Sequence, residues 1–114
     1  MQTIPILWKR ESWLQHRGKL SEEFTELCHE LHEIEQDNGN TIDKVVAESL
    51  DVIQVAIGII DKAVAEYGVD AQAAIAWHVE KLLGRGWGVK GWIEVDVMMG
   101  VSDDSLQTVQ KVIG

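Results

Sequence analysis

A pair of acids inside a long apolar run is the feature that most constrains this chain. Residues 45–60 are mostly aliphatic, yet Glu48 and Asp51 interrupt them at a spacing of three. Side chains three apart lie on the same face of a helix, so this spacing brings the two carboxylates to one side. Ionised carboxylates beside apolar surface destabilise a fold unless something pairs with them. The run therefore predicts a buried helix whose acids have a binding partner.

A second acidic set precedes this run. Glu22, Glu23 and Glu26 lie in an apolar-periodic stretch that begins near Leu20. If the two stretches form helices that pack antiparallel as a hairpin, their acidic flanks can meet. Converging carboxylates repel one another, and a divalent cation relieves the repulsion because hard cations such as Mg²⁺ take oxygen ligands. The pattern predicts a metal site shared by two helices.

The first half of the chain reads as two helices separated at Gly18. The spacing predicts a helix over about residues 5–16 and another over about residues 20–36, with Ser21 as its N-cap. The second of these carries an apolar seam with alternating spacings of four and three, typical of helix bundles: Leu20, Phe24, Leu27, Leu31 and Ile34. Residues 37–40 have the composition of a turn, and so short a turn favours antiparallel packing.

The second half begins with the longest predicted helix, over about residues 41–67. Thr41 is its expected N-cap and Gly68 its expected C′ residue. Because this helix is apolar on more than one face, we expect several partners to cover it, a second copy of the chain among them. A fourth helix is expected from Asp70 to about Leu83.

The last part of the chain carries weaker signals. Glycines at positions 84, 86 and 88 are expected to break regular structure. The alternating pattern at residues 92–97 predicts a short strand. Ser102 is expected to cap a last short helix that runs through about Val112.

These elements predict one all-α domain over residues 1–114. We expect an antiparallel helical bundle of four core helices within about residues 5–88, completed by dimerisation into a homodimer or a dimer of dimers. Residues 89–114 are expected to add a short irregular or β-like extension. A length of 114 residues suits one domain with a modest core.

The formal net charge of −9 limits the partners of this chain. Nucleic-acid polymers and anionic membrane surfaces both attract clustered Lys and Arg, so neither is expected as a partner. The apolar run is too short and too charged to span a bilayer, and the N-terminus lacks the basic start and apolar core of a signal peptide. Cys28 is the lone cysteine, which fits a reducing, cytoplasmic location.

The acidic residues resemble the signature of MazG-like all-α nucleoside triphosphate pyrophosphohydrolases. That signature is Glu-Glu-x-x-Glu followed after a gap by Glu-x-x-Asp, and it reads here at residues 22–26 and 48–51 with 21 residues between them. A basic segment at residues 78–87, His-x-x-Lys-Leu-x-x-Arg-Gly-Trp, looks like the end of the family's last core helix. The resemblance covers residues 15–88 of the chain.

The resemblance implies hydrolysis of a (deoxy)nucleoside triphosphate to the monophosphate and pyrophosphate. By it, Mg²⁺, with Mn²⁺ as a substitute, would be ligated by Glu23, Glu26, Glu48 and Asp51. Glu22, about 40° around the helix from Glu26, would orient or deprotonate the attacking water. Lys81 and Arg85, which share a helix face, would hold phosphate oxygens.

The sequence leaves recognition of the base and the sugar open. Gln15 or His16 is a candidate for reading a base edge. Tryptophan more often anchors cores and interfaces than it binds a ligand. The candidates for stacking on a base are nevertheless Trp13, Trp77 and Trp87. Members of the family often carry Asn where this chain has His78. Whether His78 contacts the base or the sugar is therefore also left open.

Two alternative functions stand beside this one. Phosphoribosyl-ATP pyrophosphohydrolases share the helical acid motif, but residues 52–54, Val-Ile-Gln, lack the continuation expected in them. A non-catalytic helical dimerisation module would keep the scaffold, although it would not need all of the acids. A di-iron site at Glu26-x-x-His29 is disfavoured because no second such motif follows, and Cys28 with its neighbouring histidines lacks a spaced fourth zinc ligand.

Overall fold

The computed structural model describes residues 2–37 and 39–94, and this part of the chain is helical without strands. Three helices follow in order: α1 (Trp13–Asp37), α2 (Ile42–Tyr67) and α3 (Ala71–Gly84). The chain divides into two compact units, of which Thr3–Gly68 contains α1 and α2, whereas α3 belongs to the other. The predicted all-α class is therefore confirmed for the described residues.

A capping box starts α1 at Trp13. The backbone N–H of Gln15 donates to Ser12 Oγ at 3.1 Å, and the backbone N–H of Ser12 donates to Gln15 Oε1 at 2.7 Å. This reciprocal pair satisfies two N–H groups that have no partner inside the helix. Residues 3–12 precede it without helical structure, so the helix predicted over residues 5–16 is wrong except for its last turn.

The break predicted at Gly18 is also wrong, because α1 continues through it. A glycine inside a helix destabilises it by only about 1 kcal/mol relative to alanine, which a helix of 25 residues tolerates. Ser21, predicted as an N-cap, lies within α1, and its backbone carbonyl accepts a hydrogen bond from Thr25 Oγ1 at 2.8 Å. Two of the predicted core helices are thus one helix.

The turn predicted at residues 37–40 is confirmed. Asp37 Oδ1 accepts hydrogen bonds at 3.1 Å from the backbone N–H groups of Gly39 and Asn40, and Gly39 has a φ of 90°. Positive φ is a conformation that glycine adopts without steric strain. Thr41 occupies the predicted N-cap position of α2, but its side chain makes no capping hydrogen bond.

The remaining helix ends follow their sequence signals closely. Gly68 ends α2 in the left-handed conformation with φ 67°, and its N–H donates to the carbonyl of Val64. Asp70 then caps α3, where its carboxylate accepts from the backbone N–H of Ala73 at 3.0 Å. The predictions of a helix over residues 41–67 and of another from Asp70 are confirmed.

The helices α1 and α2 form an antiparallel hairpin. His16 of α1 is buried against α2 at Gly58, where an added Cβ would come within 3.3 Å of His16 Cε1. Glycine therefore permits a close approach here that alanine would allow only with displacement of the imidazole. This contact lies towards the open end of the hairpin, far along both helices from the turn.

The hairpin leaves much of its apolar surface uncovered. Among the described residues no apolar side chain is fully buried, and Phe24 and Leu31 of the predicted α1 seam are 59% and 46% exposed. We call the exposed apolar side chains on one side of α2 its outward face: Ile42, Val46, Leu50, Ile53 and Ile60. By helical geometry this face points roughly opposite to Glu48 and Val55.

Several sequence predictions concern the end of the chain. The strand predicted over residues 92–97 is absent from the described residues 92–94, and residues 95–97 lie outside the described part of the chain. The helix predicted from Ser102 to Val112 also lies outside it. Among the described helices, none has an apolar stretch of membrane-spanning length.

The start of α1 can be tested by removing each candidate cap. Ser12→Ala should lower the free energy of unfolding by about 1 kcal/mol, because the N–H of Gln15 loses its acceptor at the helix end. Ser21→Ala is the matched control on the same helix and should be neutral or slightly stabilising, since alanine is the better helix former. Urea unfolding followed by circular dichroism measures both. A larger loss in Ser21→Ala would contradict the start at Trp13.

Candidate metal centre

Three carboxylates meet between α1 and α2. Glu23 and Glu26 lie one turn apart on α1, and Glu48 reaches them from α2. One oxygen from each of the three lies within 4.8 Å of the others. We call Glu23, Glu26 and Glu48 the acidic cluster. At this spacing the three carboxylates could hold one metal ion.

Two oxygens of the acidic cluster are buried without a partner. Glu23 is only 6% exposed, and its Oε2 has no hydrogen-bond partner among the described residues. The same holds for Oε2 of Glu48, which is half-buried. Buried polar atoms in folded proteins are normally satisfied, and an unsatisfied one points to an unseen ion or water. Both orphaned oxygens are acceptors, so the missing partner is a cation or a hydrogen-bond donor.

Lys19 is the cation that contacts the acidic cluster. Its Nζ lies 2.8 Å from Glu23 Oε1 and 3.7 Å from Glu22 Oε2. The hydrogen bond from Lys19 holds the pKa of Glu23 below its usual value, and the carboxylates of Glu23 and Glu22 raise the pKa of Lys19. Both groups are therefore charged at neutral pH, but a single ammonium serves three carboxylates.

Glu26 bears the uncompensated repulsion. Its pKa is raised above the usual 4.5, first by the hydrogen-bonding contact with Glu23 and then by the charge of Glu23, by partial burial and by the charge of Glu48. The charged form of Glu26 is thus disfavoured where the three acids meet. A cation bound to the cluster would reverse this effect, because an opposite charge favours the ionised carboxylate.

The structure places the two other predicted acids at the edge of the cluster. Asp51, predicted as a fourth metal ligand, is exposed and lines a cavity beside Glu23, but it is not among the three acids whose oxygens meet. Glu22, predicted to handle the attacking water, is exposed and interacts with Lys19. Both are on the hairpin, within the same compact unit as the cluster.

A cavity of about 820 Å³ adjoins the acidic cluster at Glu23. Its wall carries both acids and bases, and the basic side chains are Lys9, Arg10, Lys19 and Lys62. The volume is that of a pocket for a small organic molecule of nucleotide size. Gln15 and His16, predicted as candidates for base recognition, both line it. The cavity therefore brings polar, cationic and carboxylate groups together next to the cluster.

Aromatic and charged side chains fix the wall near His16. Nδ1 of His16 lies 3.5 Å from Glu11 Oε2, and the ring of Trp13 is 6.2 Å from the imidazole. The ring centres of Trp13 and Tyr67 are also 6.2 Å apart. Lys62 Nζ lies 5.1 Å from the centre of the Trp13 ring. Trp13, predicted as a candidate for base stacking, thus has aromatic and cationic neighbours and is not among the residues that line the cavity.

The predicted phosphate-binding residues belong to the other compact unit. Lys81 lies near the end of α3 with its Nζ 5.2 Å from the ring centre of Trp77, and Arg85 is the C-cap of α3. His78 and Trp87 line a separate cavity of about 510 Å³ in that unit. The roles of Lys81 and Arg85 on a substrate stay predictions.

Sequence reasoning missed the basic residues of the hairpin. Lys19 stands four residues before Glu23, a spacing that pairs opposite charges on a helix, so its contact could have been inferred. Lys62 pairs in the same way with Glu66 four residues later. No such signal marks Lys9 and Arg10, because they lie in the non-helical segment before α1.

Comparison of the chain with models of protein families, with curated proteins and with solved structures found no match.

The opposite pKa shifts of Glu23 and Glu26 predict opposite effects of neutralising them. In metal-free buffer at pH 7.5, Glu26→Gln should raise the melting temperature by a few degrees because a repelled charge is removed. Glu23→Gln should lower the melting temperature because Lys19 loses its partner. Glu35→Gln, an exposed position on the same helix, is the control and should change little.

The pH dependence follows from the direction of each shift. Glu26 has a raised pKa, so its contribution to stability is present below 4.5 and is lost as the pH rises through the folded-state pKa. Glu23 has a lowered pKa, so its contribution is present above 4.5 and is lost as the pH falls. The gain from Glu26→Gln should therefore vanish at pH 4. A gain that persists at pH 4 would show that repulsion is not its cause.

Proposed function

We propose that this chain is a Mg²⁺-dependent nucleotide pyrophosphohydrolase of the MazG-like type. The observation that carries the proposal is the acidic cluster, in which three carboxylates from two helices offer oxygens within 4.8 Å of one another and two of those carboxylates have a buried orphaned oxygen. The acids are those of the Glu-Glu-x-x-Glu and Glu-x-x-Asp motifs that resemble the family.

The donor set fits a hard divalent cation. Glu23, Glu26 and Glu48 offer oxygen alone, without sulfur or imidazole, which favours Mg²⁺ or Mn²⁺ over zinc or copper. In the proposal Asp51, on the cavity wall beside Glu23, completes the protein ligands. The chain has a net charge of −9. An anionic protein that binds an anionic substrate needs a cation between them, so this charge is consistent with a bound metal.

The proposed reaction is the hydrolysis of the bond between the α- and β-phosphates. A bound Mg²⁺ neutralises charge on phosphate oxygens and lowers the pKa of water. Glu22, exposed on α1 one turn before Glu26, is the residue proposed to orient the attacking water and accept its proton. Lys81 and Arg85 are proposed, on the resemblance alone, to hold phosphate oxygens. The products are the nucleoside monophosphate and pyrophosphate.

The cavity beside the cluster suits the remainder of such a substrate. Its volume of about 820 Å³ accommodates a nucleoside, and Gln15 and His16 supply polar groups to a base or sugar. His16 is buried and held between Glu11 and Gly58, so its position is fixed before a ligand arrives. We propose the cavity as the nucleoside pocket, without a preference among bases.

The outward face of α2 supports a homodimer. Its five apolar side chains are each between 43% and 52% exposed and recur along one side of the helix. Exposed apolar patches that are large and contiguous mark sites where other proteins bind. We propose that a second copy of the chain covers this face, either in a homodimer or in a dimer of dimers.

Activity on a panel of nucleotides tests the proposal. With Mg²⁺ present, pyrophosphate release is expected from at least one canonical, deoxy or damaged nucleoside triphosphate. Glu48→Gln should lower kcat/KM by at least about 100-fold. Loss of a residue that only orients a metal ligand lowers activity by up to about 100-fold, and loss of the ligand itself should have at least that effect. Glu35→Gln, exposed on α1 and outside the acidic cluster, should retain activity.

The same panel separates the alternatives. Hydrolysis confined to phosphoribosyl-ATP would favour that related activity on the same acids. Absence of hydrolysis, together with an absence of Mn²⁺ binding by calorimetry, would favour a non-catalytic dimerisation module and contradict the proposed enzyme.

The proposed dimer can be tested on the outward face. Leu50→Lys should convert a dimer into a monomer in sedimentation experiments, because a buried ammonium without a partner strongly disfavours association. Ala47→Lys adds the same charge to an exposed position about 60° or more away from that face and should leave the dimer intact. A native chain that sediments as a monomer at micromolar concentration would contradict this arrangement.

A further inference from the structure

The side chain of Lys19 lies between the acidic cluster and the adjoining cavity. Its ammonium pairs with Glu23 at 2.8 Å, and it also lines the cavity that adjoins the acidic cluster. The side chain is 44% exposed, whereas that of Glu23 is 8% exposed. The lysine can therefore turn towards the cavity by rotation about its flexible stem, while Glu23 stays in place.

A divalent cation in the acidic cluster would share Glu23 with the ammonium of Lys19. Three ionised carboxylates carry a charge of −3, and Lys19 alone leaves −2 uncompensated. A divalent cation bound to the cluster supplies the remaining charge, but it also places a second positive centre beside the ammonium. Each cation weakens the hold of Glu23 on the other, so Lys19 and the metal compete for the same carboxylate.

Two of the three other basic side chains of the cavity wall pair with acids outside the acidic cluster, and the third, Arg10, has no ion pair among the described residues. Lys62 pairs with Glu66 and lies over the ring of Trp13, and Lys9 lies 3.9 Å from Glu11. Neither has a contact with a carboxylate of the acidic cluster among the ion pairs of the described residues. Among the basic residues of the cavity wall, Lys19 is thus the one that forms an ion pair with the acidic cluster in the described part of the chain.

We propose that Lys19 is a phosphate-binding residue that the acidic cluster holds until a divalent cation takes its place. When the cation binds Glu23, Glu26 and Glu48, the ammonium leaves Glu23 and donates to an oxygen of the phosphate chain in the adjoining cavity. The proposal rests on the proposed function, and it assigns to the hairpin itself a phosphate contact that the sequence motif gives only to Lys81 and Arg85.

This role predicts effects of opposite sign on the two ligands. Lys19→Gln should bind Mn²⁺ alone about fivefold more tightly, because a competing charge is removed from the cluster. The same variant, saturated with Mg²⁺, should bind pyrophosphate about tenfold more weakly, because a charge-assisted hydrogen bond is lost. If Lys19 only stabilised α1, its replacement would not raise the affinity for Mn²⁺ while lowering the affinity for pyrophosphate.

Calorimetry on the full chain at pH 7.5 makes both measurements, with Mn²⁺ as the metal probe and Mg²⁺-pyrophosphate as the phosphate probe. Lys19→Arg keeps the charge and should restore both affinities to within about threefold of the native chain. Lys9→Gln removes the same charge from the cavity wall without touching the cluster, and it should leave Mn²⁺ affinity unchanged. Circular dichroism confirms that each variant is folded.

The possible failures are distinguishable. If the native chain binds no Mn²⁺, the metal site of the proposed function is overturned, and the role of Lys19 falls with it. If Mn²⁺ binds but Lys19→Gln leaves its affinity unchanged or lowers it, only the competition assigned to Lys19 is overturned. Unchanged pyrophosphate affinity in that variant overturns the phosphate contact while leaving the metal site intact.

Discussion

Repulsion among three carboxylates at the contact between α1 and α2 is the interaction on which this structure depends. The hairpin turn brings Glu48 to Glu23 and Glu26, and Lys19 offsets only part of their charge. The pKa of Glu26 is raised, first by its hydrogen-bonding contact with Glu23 and then by the charge of Glu23, whereas the hydrogen bond from Lys19 lowers the pKa of Glu23. A cation bound to the cluster would offset this repulsion and stabilise the contact between the two helices.

Helix ends were predictable wherever a local residue determines them. Gly68 ends α2 through its left-handed backbone conformation, and Asp70 caps α3 through its carboxylate. Both helix ends could therefore be predicted from the sequence alone. The start of α1 is determined by the pairing of Ser12 with Gln15, whereas Gly18, the expected break, is tolerated inside the helix. A capping box is a stronger signal than one glycine, because it satisfies two N–H groups at once.

The site was predictable only to the extent that it follows helical periodicity. Glu23 and Glu26 share a face, and a short turn brings Glu48 to them, so their convergence could be inferred. Asp51 lies about 60° around α2 from Glu48, on the wall of the cavity beside Glu23, and it is not among the three acids whose oxygens meet. Periodicity gives the face of a helix but not the distance across a contact, which the close approach of His16 to Gly58 helps to set.

The placement of the acids argues for a function over a purely structural role. Glu23 and Glu48 occupy positions in the helix contact where apolar side chains would pack without orphaned oxygens. The hairpin is poor in buried apolar side chains, so it has little stability to lose at such positions. A fold selected for stability alone would place its aliphatic residues here and its carboxylates on the outward face of α2. In this chain two carboxylates lie in the helix contact and five aliphatic side chains are exposed on the outward face of α2, an arrangement that a cation in the acidic cluster and a second protein surface over the aliphatic residues would explain.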